Sequence, residues 1–284
     1  MRSQVSLRRN ESLPQLGKSV LVAAHLDDEV LWFSSIASQV DAIIICYLDH
    51  ASKPAKTKGR RQSLVGHPLD HLSCLPISSA DVFGRAAFSK SVVTPYGISL
   101  RGAKEIQAKY QENYSALEES LDGMLKNCER VYTHNPWGEY GHEEHIQVHR
   151  AVHGLQKKYR FSLQFSGYVG CDAYPWFVRY LPSVSGAYET VPTNKVLAQK
   201  VMQWYQQHDC WTWFDEWVWP DHEVLLRYQD ETTDVALNKN SLPVNVLWTT
   251  ARAGRRARRW RTARRLQARI MRTLKPLTND RVAE

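Results

Sequence analysis

The 284-residue chain has no apolar run approaching the ~20 residues that a membrane-spanning helix needs, so no such helix is expected. Its first residues, MRSQVSLRRNESLPQLGKS, are polar and lack the apolar centre of a secretory leader. The five cysteines (Cys46, Cys74, Cys128, Cys171 and Cys210) are odd in number and scattered, with no CxxC pair. That pattern argues against a disulfide framework and for free thiols in a reducing compartment, so a cytoplasmic protein is expected. Glycine-rich phosphate loops and a GxSxG elbow are also missing, which counts against P-loop nucleotide hydrolysis and α/β-hydrolase chemistry. HEEHI, at residues 142–146, is not an HExxH zincin motif, because its second histidine comes one residue too early. There is no internal repeat.

What is present is an ordinary globular composition, 43% hydrophobic and 23% charged, on a chain long enough to bury a sizeable core. The net charge of +8 is unevenly placed. Residues 252–284 hold eleven arginines and one lysine against one aspartate and one glutamate, a net +10, which leaves the first 251 residues at −2. The basicity therefore belongs to a tail and does not describe the fold.

Candidate strands and helices alternate through the first two thirds. SVLVAA (19–24) reads as a buried strand, and EVLWFSSIASQV (29–40) follows with near-helical apolar spacing. DAIIICYL (41–48) reads as a second buried strand. Residues 103–127 form an amphipathic helix with Ile106, Tyr110, Tyr114, Leu117, Leu121 and Leu125 on one face. RVYTHN (130–135) reads as a strand, 143–159 as a helix, FSLQFSGYVG (161–170) as a strand and 195–208 as a helix. Strands separated by helices predict an α/β, Rossmann-like, mostly parallel doubly wound sheet. In such sheets ligands bind beyond the carboxyl ends of the strands.

Two charged seams fall at such ends. AAHLDDEVLW (23–32) leaves the first strand, and THNPWGEYGHEEHIQVH (133–149) leaves another and enters a helix. His25 and Asp28 are three residues apart across a strand-to-helix turn, and His142 and His145 are three apart near a helix start. Two imidazoles and a carboxylate leave a coordination position open, a common catalytic zinc arrangement, although the same donors accommodate iron(II). Asp27 stands beside this set as a general base. Tyr140 and whichever histidine is not a ligand would stabilise an oxyanion or protonate a leaving group.

HLDDE (25–29) and HNPWGEYGHEEH (134–145) resemble the AHPDDE and GxYGHxDH signatures of the LmbE-like/PIG-L family of zinc-dependent deacetylases, which act on N-acetylglucosaminyl compounds. The resemblance spans roughly residues 18–170. It implies His25, Asp28 and His145 as zinc ligands and Asp27 as general base. It further implies His142 as acid or electrostatic stabiliser, Tyr140 as the group polarising the acyl oxygen, and Arg61 and His134 as substrate contacts. Leu26 stands where the family has proline, Glu144 where it often has aspartate, and Leu64 where it has an acid. The last change, with Pro68 interrupting the helix, bears on substrate binding and leaves the metal set untouched.

The expected organisation is an LmbE-like core over residues 1–180, an aromatic-rich part of the same domain over 181–250, and an arginine-rich amphipathic or disordered tail over 251–284. Trp204, Trp211, Trp213, Phe214, Trp217 and Trp219 are either a sugar-stacking wall or a small core. In the tail, Trp260, Ala263, Leu266, Ile270 and Leu274 fall near one helical face, which makes an anionic lipid surface a candidate partner, ahead of nucleic acid. A peripheral place at the inner face of the membrane would follow. The expected function is metal-dependent removal of an acyl group from an N-acetylglucosamine-type amino sugar, lipid- or glycan-linked. The alternatives are a deacylase of another N-acyl metabolite, or a non-catalytic protein that binds membranes or polyanions through its tail. The oligomeric state is not legible.

Overall fold

Alternating burial along SVLVA, with two large apolar side chains to each face, makes residues 19–23 the centre of the molecule. The computed structural model describes residues 18–228 and 242–248. In chain order its elements are β1 (Ser19–Ala23), α1 (Asp28–Leu31), β2 (Ala42–His50), α2 (Pro54–Ser63), β3 (Leu72–Ser79), β4 (Val93–Thr94) and β5 (Gly97–Ile98). Then come α3 (Lys104–Leu125), β6 (Arg130–Thr133), α4 (Glu143–Tyr159), β7 (Ser162–Ser166), β8 (Tyr168–Gly170) and α5 (Tyr174–Tyr180). β9 (Val184–Pro192), α6 (Lys195–Gln207), β10 (His222–Tyr228) and β11 (Asn245–Leu247) complete it.

Seven strands form one sheet in the order β3-β2-β1-β6-β7-β10-β9. β3 through β7 are parallel neighbours, and β10 runs antiparallel to both β7 and β9. The expected Rossmann-like, mostly parallel α/β sheet is what the chain forms. Val20 and Val22 face one side, packing with Leu117, Leu121, Val148 and Val152 of α3 and α4. Leu21 and Ala23 face the other, with Val201 and Tyr205 of α6 and with Trp211 and Trp219. Each such fully buried Val or Leu is worth about 1.5–3 kcal/mol of transfer free energy.

Strand order fixes where a ligand can sit. From β1 the chain winds outward to β2 and β3, then returns to place β6 against the other side of β1. The reversal opens a crevice at the carboxyl ends of β1 and β6, the usual ligand position in such sheets. Both charged seams emerge there.

Three local expectations are corrected. The helix expected over 29–40 stops at Leu31. Beyond it the Ser34 and Ser35 backbone N–H groups donate to the carboxylate of Glu223 (3.2 and 2.9 Å), as do both hydroxyls (2.7 and 2.6 Å). Donors spent on a buried carboxylate cannot continue a helical ladder. The strand expected over 161–170 divides at Gly167, whose N–H bonds Val224 O at 2.8 Å. A side chain there would place Cβ 2.9 Å from Val224, so only glycine admits this approach. The third correction concerns the Trp-rich stretch: its Trp211, Trp213 and Trp219 are buried in the same cluster as Leu26 and Trp32, over the first motif.

Among the described residues no helix is long and apolar enough to cross a membrane. The expected amphipathic tail lies outside the described residues.

Candidate metal centre

The first motif turns sharply on leaving β1. Asp27 takes the left-handed backbone region, φ 104°, rare for a residue with a side chain and a place where strain is stored at functional sites. The turn is closed by the Asp28 N–H to His25 O (3.2 Å) and by the His25 N–H to Asp28 Oδ2 (2.8 Å). Trp32 Nε1 donates to Asp28 Oδ1 at 2.9 Å, so both carboxylate oxygens are oriented. Glu29 turns away from the cluster. Its carboxyl accepts from Tyr205 OH at 2.7 Å, and burial pushes it up to about 8, so it is neutral at pH 7.

The second motif is built on Asn135. Its Oδ1 accepts the N–H groups of Trp137 and Glu139, and its amide donates to Ser166 O, Ser166 Oγ and Tyr168 O. Gly138 (φ 72°) lets the loop fold under His142, where a Cβ would lie 2.5 Å from the His142 oxygen. The loop ends at His142, whose Nδ1 accepts the Glu144 N–H at 3.2 Å and so caps α4.

The loops bring together the ligands that the motifs imply. Asp28 Oδ2 lies 3.2 Å from His25 Nδ1 and 3.3 Å from His145 Nε2. Donors on one tetrahedral ion at about 2.1 Å are themselves ~3.4 Å apart, so the spacing fits a shared metal. His145 Nε2 is buried and has no hydrogen-bond partner, an arrangement that costs stability unless something binds the lone pair.

Tautomers decide which histidines can ligate. His145 Nδ1 meets Glu139 Oε2 at 2.7 Å, and His25 Nε2 meets Glu144 Oε2 at 2.8 Å. Each carboxylate holds a ring proton on that side and leaves the other nitrogen as a lone pair aimed at Asp28, the carboxylate–histidine arrangement of metal sites. By donor proximity alone, two trios could hold an ion: His25 with His142 and His145, and Asp28 with His134 and His145. His134 Nε2, however, already accepts the Ala24 N–H at 2.8 Å, and His142 Nδ1 accepts from Glu144. A neutral His142 therefore carries its proton on Nε2. The set left with free lone pairs is His25, Asp28 and His145.

Charge supports a cation. Burial opposes ionisation of Asp28, yet the His145 and His134 imidazoles beside it hold it well below the usual carboxylate range. Burial is likewise outweighed at Glu139, which His134 and His145 bring down to about 2. Glu144 is lowered too, by His25 against the same burial penalty. Three buried carboxylates are thus held ionised in one place. His134 shows the converse: burial works against its charge, but Glu139 and Asp28 lift it to about 9.

Asp27 is adjacent but distinct. Its Oδ2 accepts both the N–H and the hydroxyl of Thr212, at 2.9 and 2.5 Å, while no described residue donates to Oδ1. Burial, with Asp28 beside it, raises its pKa, and the Thr212 hydrogen bond only partly offsets this. A carboxylate with one oxygen clamped and raised basicity suits a proton acceptor. His142 stacks on Phe83 (4.8 Å, 21°) and on His145 (4.5 Å, 12°). Glu143 fixes the loop carrying Phe83 by accepting from the Gly84 and Ala86 N–H groups (3.1 and 2.6 Å). Tyr140 is buried 5.5 Å from His145, against Trp32, Phe83 and Trp213.

Two expected substrate contacts are placed elsewhere. Arg61 is 61% exposed and pairs with Asp49 through Nε (3.0 Å) and Nη2 (2.5 Å), pointing away from the cluster. The arginine that turns inward is its neighbour Arg60, whose Nη1 reaches Tyr47 O and Leu48 O and whose buried Nε has no partner. His134 is fully buried between Ala24 and Glu139, so it supports the site from beneath.

Sequence reasoning missed Glu139, Thr212 and the inward Arg60. Glu139 lies inside the GEYGH motif, and its acidity beside two histidines was a usable signal. Thr212 gives none, since its partner is 185 residues away.

No family model and no curated protein matches the chain. Solved structures of similar fold are a deacetylase–teicoplanin complex from teicoplanin biosynthesis (11% identity, TM-score 0.47, 75% of this chain and 99% of that one) and the A40926 pseudoaglycone deacetylase (11%, 0.47, 75% and 97%). A zinc-inhibited form of teicoplanin deacetylase also matches, at 8% identity, TM-score 0.48, 75% of this chain and 99% of that one. Likeness of this order carries no argument about chemistry, which rests on the side chains described above.

Proposed function

We propose that the protein is a metal-dependent amidohydrolase that removes an acyl group, acetyl in the first instance, from an N-acylated amino sugar of the N-acetylglucosamine type. The observation that carries the reading is the convergence of the His145 Nε2 and His25 Nδ1 lone pairs on Asp28, beside a clamped, basic Asp27. The sugar class comes from the motif resemblance.

His25, Asp28 and His145 would hold the metal, and we assign zinc, with iron(II) the other ion these donors accept. When bound, such an ion supplies Lewis acidity, which polarises an acyl carbonyl and activates water at neutral pH. Asp27 accepts a proton from the attacking water, and Oδ1 is the oxygen left for it. The new C–O bond places negative charge on the former carbonyl oxygen, which the Tyr140 hydroxyl stabilises. Proton delivery to the nitrogen, from His142 Nε2 or from the protonated Asp27, lets the C–N bond break and yields a free amine and a carboxylic acid. Thr212 and Trp32 hold the two aspartates in register for these transfers.

Amine and acetate release over a panel of N-acetylated amino sugars and other N-acyl metabolites is the test. We expect equal amounts of amine and acetate from at least one acetylated sugar, abolished by chelation and restored by added zinc or iron(II). Turnover of a non-sugar amide alone would move the substrate class. Hydrolysis that survives complete metal removal would overturn the reading.

A further inference from the structure

Most exposed large apolar side chains stand singly on a protein surface and need no explanation. Five of this chain's are gathered on two adjoining elements. On α5 and the turn after it, Tyr174, Val178 and Leu181 recur at helical spacing and are exposed, Tyr174 by 58%, while Trp176 on the opposite face is buried. On β11, Leu247 is buried, but Val246 and Trp248 point the other way and are exposed, Trp248 by 89%. The two elements meet. β11 pairs with β8 in the register Leu247 to Gly170, the chain leaves Gly170 directly into α5, and Cys171 Sγ lies 3.9 Å from Leu247 O.

The arginine-rich segment starts at the edge of this patch. Arg252 is four residues beyond Trp248. A fully extended chain covers at most ~3.6 Å per residue, so connectivity alone keeps Arg252 within about 14 Å of Trp248. Arg255, Arg256, Arg258 and Arg259 follow, in a stretch of net charge +10 on a chain otherwise at −2. Arg179, also exposed, belongs to α5 itself.

We infer that the Tyr174–Val178–Leu181 face of α5, together with Val246 and Trp248, docks the protein on an anionic lipid surface, with the adjoining arginines supplying the attraction. A tryptophan and a tyrosine beside aliphatic side chains, flanked by arginines, are the residues that settle at the level of lipid headgroups, and basic residues select anionic lipid. Duplex nucleic acid would use the arginines but gives no role to five exposed apolar side chains. A second copy of the chain would bring the same arginine-rich segment against itself. The patch also adjoins the site: the Gly170 N–H donates to Glu139 O at 2.7 Å, at the foot of the turn leading into α5. Docking on this face therefore sets the candidate metal centre close to the lipid surface.

The test uses the full chain with vesicles of phosphatidylcholine alone or mixed with phosphatidylglycerol, read by co-sedimentation without substrate, so it stands or falls apart from the hydrolase reading. The protein is expected to sediment with the mixed vesicles and to stay in solution with the neutral ones. Trp248→Ser with Tyr174→Ser should weaken partition about tenfold. Replacing Arg255, Arg256, Arg258 and Arg259 with Gln should weaken it about a hundredfold, and raised salt should act in the same direction. All the substituted apolar groups are exposed, so the folded state is expected to persist, checked by an unchanged thermal midpoint. Equal binding to both vesicle types, or none to either, overturns the inference. So does parent-level vesicle binding by the Trp248/Tyr174 variant, or light scattering showing a dimer that this variant dissolves. Duplex DNA bound in preference to mixed vesicles also overturns it.

Discussion

Asp27→Asn is expected to lower kcat by about 10²- to 10⁴-fold, the usual worth of a positioned acid–base group, while metal content stays at the parent level. Asparagine keeps the size of the side chain, and its amide oxygen can still accept the two Thr212 bonds. What disappears is the basic oxygen. A stability measurement separates this from damage to the fold. Burial and Asp28 raise the Asp27 pKa in the folded chain. A carboxyl raised in this way favours the folded state at low pH and loses that contribution as pH rises through its folded pKa. At neutral pH its charge is therefore a burden, and in chelated protein the asparagine variant should match or exceed the parent's thermal midpoint. Lower turnover with equal or higher stability is the signature of a functional group held against the interest of the fold. Parent-level turnover in the variant would remove Asp27 from the mechanism.

The second large effect is expected at Glu139→Gln, a residue that would never touch the metal. Glu139 Oε2 holds the Nδ1 protons of His145 (2.7 Å) and His134 (3.2 Å), and Oε1 takes the Asn135 N–H at 3.1 Å and the Ser166 hydroxyl. Glutamine retains the shape and removes the charge. Metal affinity should then fall about 10- to 100-fold, because the ligating histidine loses both its tautomer and its basicity. The variant should also be less stable at neutral pH by roughly 3 kcal/mol, the cost of removing one member of a buried charged cluster. The sign follows from the pKa. Glu139 is depressed to about 2, so its contribution is present above the ordinary carboxylate range and is lost as pH falls towards that value. An unchanged affinity would mean that His145 is not a ligand.

These predictions concern residues of unequal legibility. α4 spans Glu143–Tyr159 and α3 spans Lys104–Leu125, within two residues of what apolar periodicity predicts, because each buries one clear stripe. β1 and β2 were visible as short apolar runs. β3 was not: LSCLPISS mixes serines and a proline into a strand at the edge of the sheet. The truncation of the first helix was equally hidden, since Glu223 reaches Ser34 and Ser35 across 189 and 188 residues. The same contrast runs through the site. Its ligands lie in two short, dense motifs, whereas the partners that set their tautomers and orientation (Glu139, Trp32 and Thr212) become recognisable only when tertiary structure closes distant segments. Arg61 and Arg60 are adjacent in sequence, and only the helix's rotation against the sheet decides which faces inward.

The reading as a whole depends on one ion seated among side chains from both motifs. Parent and His145→Ala protein, supplied with zinc and dialysed against metal-free buffer, should hold about one equivalent and less than about a tenth of an equivalent, respectively, by elemental analysis. Equal metal content in the two proteins, or a parent that hydrolyses its substrate with no metal bound, would contradict the account.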